Sequence, residues 1–215
     1  MILLAGETLV PDASGALCWP AAETVVVADL HLEKGSSVPG LPPYDTAATL
    51  ARLAGVLRQW RPRRVVCLGD SFHDDGAAVR LDRGDREALR ELVAAHDWLW
   101  IAGNHDPAPP SLGGSVVGEI AIGRLAFRHE ADAAAPGGEV SGHYHPKAAF
   151  RARGRRLAGR CFVGDARRLI LPAFGAYAGG LDVSDPAIRR LFPDGFDIHL
   201  IARERVTRLP RALTR

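Results

Sequence analysis

Thr24-Val25-Val26-Val27-Ala28-Asp29-Leu30-His31 is a β-branched apolar run that ends abruptly in a carboxylate and an imidazole two residues apart. A run this short and apolar at every position predicts a strand buried on both faces. Two similar runs follow, Arg64-Val65-Val66-Cys67-Leu68 and Trp98-Leu99-Trp100-Ile101. Each also ends in polar chemistry, Gly69-Asp70 after the first and Gly103-Asn104-His105-Asp106 after the second. Between the runs the periodicity is helical. Asp45 is placed to cap a helix from about Thr46 to Trp60, with Ala47, Leu50, Leu53, Ala54, Leu57 and Trp60 on one face and Pro62 as its stop. A second helix opens at Asp85 or a neighbour and carries Leu89, Leu92, Val93 and His96 at helical spacing. Strand–helix–strand–helix–strand predicts a parallel sheet with right-handed crossovers. In such sheets ligands bind beyond the carboxyl ends of the strands, where all three polar clusters fall.

The second half changes character. Short apolar runs at Glu119 to Ile122, Leu125 to Phe127, Ala148 to Phe150, Cys161 to Val163, Leu169 to Leu171 and Asp197 to Ile201 are separated by turn residues, and helical periodicity is weak. This predicts a second, mainly β sheet. Gly179-Gly180 and the tail Arg203 to Arg215 read as turns and solvated charge. With 215 residues, no repeat and no linker, the chain is expected to be one domain over 1–215.

Composition narrows the class. Hydrophobic residues make up 47% and charged residues 24%, the balance of an ordinary soluble protein, and no apolar run is long enough to span a membrane. The start, Met1 to Glu7, lacks a basic flank and a long apolar core, so a cytoplasmic location is expected. Cys18, Cys67 and Cys161 are widely spaced, which argues against a disulfide framework or a thiolate zinc site and for small buried residues. A net charge of +2 is too mild to imply a polyanionic partner. Lys34 and Lys147 are the only lysines; so arginine-heavy a composition, rich also in Ala, Gly and Pro, fits a GC-rich genome better than nucleic-acid binding as such.

The donors form a pattern. In extended backbone, residues two apart face the same side, so Asp29 and His31 can both point at the strand-end site. His143 and His145 repeat that spacing within Ser141-Gly142-His143-Tyr144-His145-Pro146, and Gly69, Gly103 and Gly142 leave room for a crowded centre. Carboxylate, imidazole and amide oxygen together suit Mn²⁺, Fe²⁺ or Zn²⁺. Asp70, between two strand-end clusters, is the natural bridge. Other residues carry two readings. His96 and His199 read as structural. His73 and Asp74 either line the cleft or bond within their loop. Lys34 either meets a substrate phosphate or is solvated, and Tyr144 either stacks on a base or packs. Arg151, Arg153, Arg155, Arg156 and Arg160 either track a nucleic-acid backbone or mark an exposed antiparallel strand.

The order Asp-x-His, Gly-Asp, Gly-Asn-His-Asp, a lone histidine (His129, ending the run Leu125-Ala126-Phe127), then Gly-His-x-His resembles the calcineurin-like metallophosphoesterases over roughly residues 24 to 146. The resemblance implies an α/β fold, a β-sandwich of two mixed sheets flanked by helices (α/β/β/α). It implies two divalent metal ions, one on Asp29, His31, Asp70 and His145, the other on Asp70, Asn104, His129 and His143. His105 would contact the scissile phosphate and assist the leaving oxygen, and Asp106 would orient His105.

A narrower resemblance covers nearly the whole chain. Ala28 to Ser37, Leu41 to Thr46, Gly69 to Asp74 and Leu171-Pro172-Ala173-Phe174-Gly175-Ala176-Tyr177 are similar to the bacterial DNA-ligase-associated metallophosphoesterases. That implies a Mn²⁺-dependent endonuclease acting on DNA, single-stranded by expectation, in the DNA damage response, in functional association with a DNA ligase and a helicase. A small-molecule phosphatase or a cyclic-nucleotide phosphodiesterase is the alternative, because the metal set alone does not separate them. A non-catalytic scaffold is disfavoured by the complete donor set and by His105. Oligomeric state stays open, a homodimer included.

Overall fold

The computed structural model describes residues 1–108, 112–152 and 155–209, with 151, 152 and 155 described by backbone alone. The first sheet runs in chain order through β1 (Ile2–Leu4), β2 (Glu7–Pro11), β3 (Leu17–Trp19), β4 (Thr24–Val27), β5 (Arg64–Leu68), β6 (Asp97–Ile101) and β7 (Ser115–Val117). β1 to β4 pair antiparallel and β4 to β7 parallel. The crossovers carry α1 (Lys34–Ser37) and α2 (Asp45–Trp60), then α3 (Ala77–Arg80) and α4 (Arg83–Ala94). The second sheet contains β8 (Glu119–Ile122), β9 (Leu125–Arg128), β10 (Glu139–Ser141), β11 (Lys147–Ala152), β12 (Arg155–Gly164), β13 (Arg168–Ile170), β14 (Asp197–Ala202) and β15 (Arg205–Leu209). Its order is β15-β14-β12-β13-β10-β9-β8, with β11 paired to β12. β10 lies parallel to both β9 and β13, and the other pairs are antiparallel. A short α5 (Pro186–Arg189) packs outside this sheet through Ile188.

The period of two along the strands sorts the core into layers. Val26, Val66 and Leu99 face the second sheet, where they meet Phe127, Val140, Phe162 and Leu169. Val25, Val27, Val65 and Trp98 face the other way, under Leu50, Leu53 and Leu57 of α2 and Leu89 and Val93 of α4. On the far face of the second sheet, Cys161, Val163 and Ile198 pack with Leu191, Phe192 and Phe196. All three cysteines are free and buried. Among the described residues no helix is long and apolar enough to cross a membrane.

Several local expectations change. Asp45 does not cap α2: Tyr44 holds that position, and the Asp45 carboxylate accepts from the Gly35 amide at 3.1 Å. α2 ends as expected, with Arg61 left-handed before Pro62. α4 is capped by Asp82, whose carboxylate accepts from the Asp85 amide at 2.9 Å. The tail is not all turn and solvated charge, since Arg205–Leu209 pairs with β14. The arginine-rich segment forms the antiparallel pair β11–β12, with Arg151 opposite Arg156.

His199, expected to be structural, is buried in β14. Burial and then the positive Met1 amino group push its pKa from 6.5 down to about 4, against the pull of Asp197. The unfolded chain therefore takes up this proton more readily. Stability from this group is intact above about pH 6.5 and is lost as pH falls toward 4. His199→Gln is expected to narrow the gap between urea midpoints measured at pH 7 and pH 5. A variant with the full wild-type acid loss would assign that loss elsewhere.

Candidate metal centre

The loops leaving β4 and β5 stay zipped together past the ends of their strands. Asp29 N–H donates to the Gly69 carbonyl at 3.2 Å, His31 N–H to Asp70 at 2.9 Å and Leu32 N–H to Ser71 at 3.0 Å. From the loop after β13, Phe174 N–H reaches the Ala28 carbonyl at 2.8 Å. Asp29 and His31 do converge, but not by the extended backbone expected of them. Asp29 (φ 54°), His31 (43°), Asp70 (46°), His143 (70°) and His145 (47°) are all left-handed. That region costs a non-glycine residue of order 1–3 kcal/mol, and such positions persist where surrounding bonds over-determine them.

Among the described residues the donors gather into three groups, one of which joins His31 to His73 and His105, while the other two draw wholly on the predicted ligands. Asp29, His31 and His145 form one, and Asp70, His129 and His143 the other, the ligand atoms within each lying within 4.8 Å of one another. In the first, His145 Nε2 lies 3.3 Å from both Asp29 Oδ1 and His31 Nε2. In the second, His129 Nε2 lies 3.4 Å from Asp70 Oδ2 and 3.1 Å from His143 Nδ1. Asn104 Oδ1 joins it, 2.9 Å from His129 Nε2 and 3.0 Å from His143 Nδ1. Asp70 Oδ2 also lies 3.9 Å from His31 Nε2, so one oxygen faces imidazoles of both groups. Its other oxygen accepts from the His105 amide at 2.9 Å.

The chemistry of this donor set fits cations. Burial, followed by the charges of His145, His105, Lys34 and His73, pushes the His31 pKa down to about 2, so its ring is neutral. Burial and then His129 lower that of His143. His129 Nδ1–H donates to the Leu68 carbonyl at 2.9 Å, which leaves Nε2 as the lone-pair nitrogen. Imidazole lone pairs packed this closely beside carboxylates are satisfied together by a divalent ion on each group. Glycine is required where the space is tightest. A Cβ on Gly103 would collide with Asp70 N and Oδ1, and one on Gly69 with the His129 ring.

The remaining predicted residues divide. His105 is exposed, its Nδ1–H donates to the His73 carbonyl at 2.9 Å, and its ring stacks on His73 with centroids 5.4 Å apart. Asp106 does not orient His105. Its buried carboxylate accepts from the backbone amides of Ser71 (2.9 Å), Phe72 (3.1 Å) and Gly103 (3.2 Å). Its pKa is raised to about 6 by burial, against the pull of those amides. Asp74 is local, bonding Gly76 N–H at 2.8 Å and Arg80 at 2.7 Å. Lys34 is half-buried at the start of α1, where its charge acts on His31 and His73. Of its two readings Tyr144 takes the packing one: it is 3% exposed in the outer core of the second sheet, so it offers no face to a base. Arg151 lies in β11, and Arg153 falls outside the described residues. Sequence reasoning missed Arg52 and Lys147, which line a cleft against His145.

Two mixed sheets meeting at a paired carboxylate–imidazole donor set define a metal-dependent phosphoesterase. The chain belongs to the calcineurin-like phosphoesterase family, whose family model matches residues 23–172. The family implies a dinuclear divalent metal site, and the two donor groups are the residues that could form it. Among solved structures, the chain is similar to the nuclease MPE of Pseudomonas putida, with 31% identity, TM-score 0.80, and 97% of this chain and 98% of that chain covered. A phosphoesterase from E. coli, Yfce, matches at 12% identity and TM-score 0.45, over 87% of this chain and 98% of that one. No curated protein matches.

Proposed function

We propose that the protein is a dinuclear phosphodiesterase acting as a Mn²⁺-dependent DNA endonuclease, single-stranded DNA being its substrate, in the response to DNA damage. The observation that carries this reading is the likeness to a nuclease over nearly the full length of both chains. The bridging position of Asp70 Oδ2 supports one metal on Asp29, His31, Asp70 and His145 and a second on Asp70, Asn104, His129 and His143. The mixed oxygen and nitrogen donors suit Mn²⁺. Functional association with a DNA ligase and a helicase rests on the sequence resemblance. The shared core between the sheets supports reading 1–215 as one domain.

When bound, two such cations supply Lewis-acid stabilisation of phosphoryl charge and acidify water at neutral pH. The chain's own residues supply the rest. The His73 carbonyl keeps a proton on His105 Nδ1, so Nε2 is the atom that exchanges protons. The attacking water would release one proton to solvent as its oxygen bonds to phosphorus, and as the bond to the leaving oxygen breaks a doubly protonated His105 would give its Nε2 proton to that oxygen and keep the one on Nδ1. His105→Ala is expected to lower turnover about 10²-fold while keeping about two metals per chain; loss of metal instead would reassign His105.

An activity panel with added Mn²⁺ tests the whole reading. It compares circular single-stranded DNA, duplex DNA, RNA and nucleotide monoesters. Nicking of the circular strand establishes endonuclease action. Hydrolysis of monoesters alone would replace the nuclease with a small-molecule phosphatase.

A further inference from the structure

Against the donor set lies a cleft of about 170 Å³ whose walls include His145, Arg52, Lys147 and Arg160. Its cations come from separate parts of the chain: Arg52 from α2, Lys147 from the first position of β11 and Arg160 from β12. Both arginines are held by neutral acceptors on the segment 171–177 or nearby. Arg52 donates to the Phe174 carbonyl, and its guanidinium lies 4.5 Å from the centre of the Phe174 ring. Arg160 donates to the Ala173 carbonyl at 3.0 Å and to the Ser14 carbonyl at 2.6 Å.

Among the described residues, neither guanidinium has a carboxylate within ion-pair distance. The contrast is with Arg128 and Arg168, which share Glu139. Arg52 Nε is buried with no partner. Burial and then the charge of Arg160 depress the pKa of Arg52 to about 10, and burial lowers that of Arg160. Pinning a loop to carbonyls needs donors. It does not need two like charges acting on each other with a third cation lining the same cleft. Carbonyl dipoles offset such crowding only in part, and an anion completes it.

We propose that Arg52, Lys147 and Arg160 form an anion subsite that takes a non-scissile backbone phosphate of the bound strand, next to the one held at the metal centre. This rests on the nuclease reading and deepens it. It gives the 171–177 segment a task, presenting the Ala173 and Phe174 carbonyls that hold two guanidiniums at the cleft wall. It also gives the enzyme a preference for polymers over esters with one phosphorus.

The test compares Arg52→Gln and Lys147→Met with wild type on a single-stranded oligonucleotide and on bis(p-nitrophenyl) phosphate, which has no second phosphate. Metal content is measured alongside. Each variant is expected to lower the ratio of kcat/KM on the strand to kcat/KM on the small diester at least tenfold. The salt dependence of strand affinity should fall by about one phosphate contact. Lys147 is exposed, so its variant decides the matter if Arg52→Gln fails to fold. An unchanged ratio in Lys147→Met overturns the subsite while leaving the nuclease reading intact. If wild type hydrolyses the small diester but cuts no DNA, the nuclease reading fails by itself. Fluorescence anisotropy with a labelled oligonucleotide and the purified enzymes then decides the cleft. A tenfold loss of affinity in Lys147→Met supports it, and equal affinity overturns it.

Discussion

Replacing Asp70 with asparagine is expected to strip both cations from the protein and to lower phosphodiester hydrolysis by at least about 10³-fold, roughly 4 kcal/mol of transition-state stabilisation. The reason lies in one atom. Asp70 Oδ2 is 3.4 Å from His129 Nε2 in one donor group and 3.9 Å from His31 Nε2 in the other. A carboxylate oxygen can serve two cations there, whereas a neutral amide brings less donor strength and none of the charge. The substitution is otherwise gentle. An asparagine Oδ1 can still accept from the His105 amide, as Asp70 Oδ1 does at 2.9 Å, so the loop keeps that anchor. The control is Asn104→Ala, which removes an oxygen facing only His129 and His143. It should cost one cation. Metal per chain, measured by plasma mass spectrometry after equilibration with Mn²⁺, separates the outcomes. Asp70→Asn protein that still holds two ions would remove the bridge from the site.

Which parts of this site the sequence could disclose follows from what each part asks of residue identity. Metal donors must be carboxylates, imidazoles or amide oxygens, so Asp29, Asp70 and Asn104 stood out at the ends of apolar runs and His143 by its spacing to His145, and the structure brings them together. β4, β5 and β6 were legible because burial on both faces demands unbroken apolar runs. Other features leave no such trace. The left-handed backbone at Asp29, His31, Asp70, His143 and His145 is imposed by bonds between loops distant in sequence, and none of these residues is a glycine that would announce it. The turn before β15 uses Arg203 and Glu204 at positive φ in place of Asn-Gly, so the final hairpin looked like solvated charge. The first hairpin did carry a signal, Ala5-Gly6 between Ile2–Leu4 and Glu7–Pro11, that went unread. Arg52 and Arg160 meet only through the tertiary fold. Asp106 was noticed for its type but given the wrong partner, because bonds to backbone amides select no side-chain pattern.

That last correction has the sharpest consequence. Asp106→Ala is expected to destabilise the fold by about 3–9 kcal/mol, since three buried amide hydrogens lose their acceptor at about 1–3 kcal/mol apiece. A domain of this kind is stable by only about 5–15 kcal/mol, so the variant should sit near the edge of folding. The amides belong to Ser71 and Phe72, immediately after Asp70, and to Gly103, immediately before Asn104. One carboxylate therefore ties together the two loops that present the Asp70 carboxylate and the Asn104 amide oxygen. Loosening it should also weaken metal affinity by about 10–100-fold, the usual effect of losing a group that supports a ligand from behind. Urea denaturation of the metal-free protein measures the first effect and Mn²⁺ titration the second. The comparison with His105→Ala makes the test discriminating. If Asp106 worked by orienting His105, the two variants would share one phenotype, a loss of turnover with stability and metal binding preserved. The amide bonds predict that they diverge, with Asp106→Ala losing the scaffold of the site and His105→Ala losing only a proton donor at its mouth.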